Sequence, residues 1–183
     1  MTELLVAGFQ GDIHRASGVL DDLRVLDDQW ILELADAVAV HRDITGLVSM
    51  DQSYQPTGRR AAEWGRCLGI LIGASLSIPF LANACPFVEE GVVTAAGLGR
   101  IGIAGIDASF WEKTLGIPQN FFEQAAQLVL PGNSAIYAVL EVSDADIAGQ
   151  RFVSYGARIL QLSLRPQQQR NIDRLLREGA GAD

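Results

Sequence analysis

The chain has 183 residues, 49% hydrophobic and 20% charged, with 22 acidic side chains against 14 basic ones for a net charge of −8. That length and apolar content exclude a disordered segment and predict one folding unit with a sizeable core, with room for an appended subdomain, rather than several domains. The negative field argues against nucleic acid as a partner and against purely electrostatic attachment to an anionic membrane.

Residues 1–55 form a first α/β half. Leu4 to Phe9 is a short apolar run ending in the turn Gly8 to Gly11, which predicts a buried opening strand. Asp12 is placed to cap a helix in which Ile13, Ala16, Leu20 and Leu23 recur at helical spacing, with Asp21, Asp22, Asp27 and Asp28 mostly on the wet side. Leu34 to His41 predicts a second strand, and Thr45-Gly46 turns it into a third over Leu47 to Tyr54. The order is β-α-β-β.

Residues 56–107 are unlike the rest. Cys67 to Val88 carries no charge, and Gly91 to Ile106 is apolar except for Arg100. Gly65, Gly69 and Gly73 recur at every fourth position, as do Gly91, Ala95 and Gly99. Such small-residue stripes let helix backbones approach closely, so the segment reads as a glycine-rich helical hairpin that turns near Asn83 and Pro86 and joins copies of the chain into a homo-oligomer. A membrane-spanning helix needs about 20 apolar residues. Pro79 interrupts the first segment, and Arg100 near the centre of the second costs on the order of 3 kcal/mol on insertion. If the hairpin does cross, Arg59, Arg60 and Arg66 before it and the absence of Lys and Arg from Asn83 to Glu90 keep both halves cytoplasmic. Two settings stay open: contact with the cytoplasmic face of the inner membrane, or burial inside a soluble oligomer. Arg100 is the candidate buried charge, with Glu63 as one acid that could pair with it.

Residues 108–132 contain one or two connecting helices over Phe110 to Leu128. Residues 133–165 repeat the opening logic: Ala135 to Val142 as a strand, Ser143 or Asp144 capping a helix through Tyr155, Gly156 ending it, and Arg158 to Leu164 as a last strand. In residues 166–183, Pro166 opens a final helix with a thin stripe of Ile172, Leu175 and Leu176 before a flexible tail. Together these predict an α+β domain, a split ferredoxin-like sandwich of two β-α-β halves. Its antiparallel sheet carries helices on one face and is interrupted by the hairpin.

No constellation points to a reaction. Gly97-Leu98-Gly99-Arg100-Ile101-Gly102 matches G-x-G-x-x-G, but a dinucleotide site needs an acid about 20 residues on, where Gly116 to Asn120 reads as a turn. His14 and His41 lack metal-ligand spacing, Cys67 and Cys85 read as apolar filler, and the acidic pairs, Glu89-Glu90 among them, read as solvated faces. No serine sits in a Gly-x-Ser-x-Gly elbow. The expectation is no catalytic residue, no cofactor and no metal. The opening residues lack a signal-peptide pattern, so the expectation is that the bulk of the chain is cytoplasmic.

The order of several short motifs resembles a bacterial family of uncharacterised proteins, a domain of unknown function often described as membrane proteins. These are Leu4 to Phe9, Asp36 to Val40 before Arg42-Asp43, Trp64-Gly65 leading to Leu71-Ile72-Gly73, Gly116-Ile117, Leu130 to Ala135, and Tyr155-Gly156. The chain departs from that pattern at Asn83, Cys85, Pro86 and Glu89-Glu90. The resemblance implies no reaction and supplies no catalytic residues. The leading expectation is a non-enzymatic, self-assembling accessory protein. The alternatives are a ligand-binding regulatory domain, by analogy with other ferredoxin-like folds, and a nucleotide-dependent oxidoreductase, which rests on the glycine loop alone.

Overall fold

The computed structural model describes residues 2–51, 68, 72, 75, 76, 112, 113, 116–168, 170, 171 and 174. Its elements with defined bounds are, in chain order, strand β1 (Thr2–Phe9), helix α1 (Arg15–Asp28), strands β2 (Leu34–Arg42) and β3 (Val48–Asp51), helix α2 (Gln119–Leu128), strand β4 (Ser134–Glu141), helix α3 (Val142–Ser154) and strand β5 (Arg158–Leu164). The strands make one five-stranded sheet in the order β3-β2-β4-β1-β5, and every neighbouring pair is antiparallel. β4 therefore lies between β1 and β2, and β1 lies between β4 and β5. Strands from before and after the apolar segment interleave across the sheet.

β1 is buried along its whole length and β4 along all but its last residue. Side chains alternate between the faces of a strand, so a strand with no exposed face needs cover on both sides. Leu5, Ala7, Ile136, Ala138 and Leu140 meet Ala16, Val19, Leu20 and Leu23 of α1 and Ala145, Ala148 and Phe152 of α3. Leu4, Val6, Val38, Val40, Tyr137 and Val139 meet Phe121, Phe122, Ala125 and Leu128 of α2, together with Leu68, Ile72 and Leu76. This corrects the expectation of helices on one face. The unbroken apolar runs of β1 and β4 require the second layer, and α2 provides part of it.

Local chemistry sets the boundaries. Asp43 nucleates the β2–β3 hairpin: its Oδ1 accepts from the N–H groups of Thr45 (2.8 Å) and Leu47 (2.9 Å), while Gly46 takes φ 93° at the turn. Those bonds, with the Thr45 hydroxyl as the foremost, hold the Asp43 carboxyl below its ordinary range. Asp12 stands outside α1 rather than at its cap, accepting from the His14 N–H (3.0 Å), and the cap position belongs to His14. Neither Ser143 nor Asp144 caps α3, whose cap position is Glu141. Asp144 instead accepts from the Glu33 N–H (3.1 Å) and ties α3 to the start of β2. Gly156 has φ 75° and ends α3 as its sequence position predicts.

Candidate functional site: a serine, histidine and aspartate cluster

Ser17 in the first turn of α1, His41 near the end of β2 and Asp51 at the end of β3 meet at the rim of the sheet. Ser17 Oγ lies 3.0 Å from His41 Nε2 and donates to Asp51 Oδ2 at 2.5 Å. His41 Nδ1 donates to the carbonyl oxygen of Ile13. β2–β3 pairing places His41 opposite Ser49 and Ala39 opposite Asp51, so both polar side chains project toward the α1 face.

Proton accounting tells what this arrangement does. The Ile13 carbonyl can only accept, so Nδ1 carries a proton. The serine proton is committed to the carboxylate. The remaining contact joins His41 Nε2 to Ser17 Oγ, so the hydroxyl bridges the ring and the Asp51 carboxylate. A hydrolytic triad is wired differently, with the carboxylate on the far nitrogen of histidine and the serine proton free to move to the near one. Here the carboxylate takes the serine proton and a backbone carbonyl orients the ring. The cluster is a polar clasp that joins α1 to two strands. Ser17→Ala is expected to lower folding stability by about 1 kcal/mol, the usual net worth of a partly buried hydrogen bond. Urea denaturation checks this, and no loss would remove the clasp role.

A second group of polar side chains is buried in the sheet. Asp36 lies at a register irregularity, where β2 advances from Leu34 to Asp36 while β4 moves only from Leu140 to Val139. Alternation along the strand puts Asp36 on the side of Val38 and Val40, toward the α2 layer, whereas Leu34 across the irregularity belongs to the opposite core. It is 4% exposed, its Oδ1 accepts from the Ala37 N–H at 2.8 Å, and burial pushes its carboxyl up to about 6 against that bond. On the same face Tyr137 is wholly buried. Burial pushes its phenol up to about 12, and the nearby Ser75 hydroxyl offsets that rise in part. Arg42 is fully buried; its Nε donates to the Gly46 carbonyl (3.4 Å) and its Nη1 to the Val129 carbonyl (3.3 Å), which fastens the hairpin to the end of α2.

The residues singled out from sequence for helix packing, Gly65, Gly69, Gly73, Gly91, Ala95 and Gly99, lie outside the described residues, as do Arg100, the G-x-G-x-x-G stretch, Cys67 and Cys85. Among the described residues there is no group of three or more His, Cys, Asp or Glu side chains able to hold a metal ion, and no helix long and apolar enough to cross a membrane. From sequence His41 is notable only for lacking metal-ligand spacing. No local motif joins it to Ser17 or Asp51, because the contacts span 24 and 34 positions.

Sheet and layers define an α+β protein built on a five-stranded antiparallel sheet. A family model described as Protein of unknown function (DUF1269) matches residues 62–177, and the chain belongs to that family. An uncharacterised family is what the sequence motifs led us to expect. The match spans α2, β4, α3 and β5, whereas β1, β2 and β3 come from residues before it. No curated protein and no solved structure matches the chain.

Proposed function

We propose that this is a non-enzymatic, self-assembling accessory protein in which the two glycine stripes join copies of the chain. The observation that carries this reading is the burial of Leu68, Ile72 and Leu76, spaced four apart, against the sheet. A helix that uses those positions for the sheet would turn positions 69 and 73 about a quarter-turn away, at 100° per residue. Small residues on such a second side suit close packing against another helix. We also read the order β2-β4-β1-β5, with α1 and α3 on one face, as a ferredoxin-like split sandwich widened by β3.

Fractionation of cells expressing the intact chain, followed by light scattering of the dispersed protein, tests the assembly and locates it in the cytoplasm or at the inner membrane. The expected result is a discrete assembly whose mass falls at least by about half in a Gly69→Leu/Gly73→Leu double variant. Unchanged mass and unchanged partitioning would overturn the proposal.

A further inference from the structure

The two edges of the sheet differ. β3 is four residues long, short enough to offer little to another strand. β5 is a regular strand of seven residues, Arg158-Ile159-Leu160-Gln161-Leu162-Ser163-Leu164, which among the described residues pairs with β1 on one side only. It holds no proline, lysine or acid, and no register shift interrupts its pairing with β1. Those are the devices that usually keep an edge strand from accepting a partner. β5 is also far less covered than the central strands: only Leu164 is buried, while Ile159, Leu160 and Leu162 remain partly accessible though packed against the two cores. After the strand, the chain turns at Pro166, and Gln168 donates to the Gly116 carbonyl, directing it toward the α2 layer.

We infer that β5 is a self-pairing edge, which joins a second copy of this chain in an antiparallel, two-fold arrangement centred on Gln161. The register follows from the strand itself, because centring on Gln161 is the one alignment that pairs all seven residues. It sets Leu160 against Leu162 of the other copy twice, on the side that faces α2, so the partly accessible leucines close over one another. Ile159 meets Ser163, and Arg158 meets Leu164. Gln161 meets its own symmetry mate, where two amides can exchange hydrogen bonds. The two Arg158 side chains stand at opposite ends of the ladder, about 20 Å apart at roughly 3.4 Å per residue, so no like charges oppose each other. A two-fold contact of this kind is isologous and closes at two copies. The result is a continuous ten-stranded sheet in which the free N–H and C=O groups of both edges are satisfied. This interface does not depend on the glycine stripes, and its test is independent of theirs.

Gln161 is exposed, so its substitution leaves the packing of the single chain in place. In an otherwise cysteine-free background (Cys67→Ser, Cys85→Ser), Gln161→Cys is expected to give a disulfide-linked dimer on a denaturing gel after mild oxidation. Ser163→Cys in the same background is not, because its symmetry mate lies about four residues, roughly 13 Å, further along the ladder. Gln161→Lys places like charges directly opposite and is expected to weaken association at least about tenfold, and mixing it with Gln161→Glu to restore it. Equal cross-linking from positions 161 and 163, no cross-linking from either, or failure of the charge swap to restore association would each overturn the inference. The Gly69→Leu/Gly73→Leu double variant should leave the position 161 cross-link intact, which separates this interface from the glycine contact.

Discussion

Replacing Gly8 with valine is expected to cost about 3 kcal/mol of folding stability, with Gly8→Ala costing about 2 kcal/mol. Gly8 lies within β1, facing α2. A Cβ built there falls 2.6 Å from Leu128 Cβ, 2.8 Å from Cδ2 and 3.0 Å from Cγ. Two of those atoms are at the root of the leucine side chain, so a rotamer change does not clear them; α2 itself has to move off the sheet. That displacement loosens contacts along the whole helix, including Phe121, Phe122 and Ala125. Chemical denaturation of the two variants gives the losses. Combining Gly8→Ala with Leu128→Ala relieves two of the three close contacts, so the pair should lose at least about 0.5 kcal/mol less than the sum of the single losses. Strict additivity would mean that α2 does not press on Gly8.

Gly8 shows where a sequence reading stops. In the sequence it belongs to a turn running from Gly8 to Gly11, because glycines at the end of an apolar run punctuate strands. In the structure β1 continues through Gly8 to Phe9, and the residue is small because a helix crosses over it. Strand positions were legible for a simple reason: β1, β2 and β4 are apolar runs bounded by Gly, Asp and Pro, and Thr45-Gly46 marks the hairpin. The identity of α2's partner was not legible, since periodicity tells which side of a helix is apolar but not which face of a sheet it covers. The Ser17, His41 and Asp51 cluster was hidden for a related reason. Each residue is unremarkable in its local context, and only the sheet register and the start of α1 bring them together. Asp36 reads as part of a strand on the side of Val38 and Val40; hydropathy does not encode that this side too is covered by a second layer.

Asp36→Asn should stabilise the protein at neutral pH by about 3 kcal/mol and flatten its stability at mildly acidic pH. The Asp36 carboxyl is raised from 3.8 to about 6 by burial, with the Ala37 N–H acting in the opposite direction. At about 1.4 kcal/mol per pH unit, that gap corresponds to about 3 kcal/mol. Because the folded-state value is the higher one, the folded protein binds more protons than the unfolded chain between those two values. Asp36 therefore imposes its full cost above about pH 6, and that cost falls away as the pH is lowered toward 3.8. Asparagine keeps an oxygen for the Ala37 N–H and removes the charge. The advantage of Asp36→Asn over the parent chain should be largest at pH 7 to 8 and shrink toward zero near pH 4, as read by urea denaturation at each pH. An advantage that does not vary with pH would mean that the buried charge is not its source.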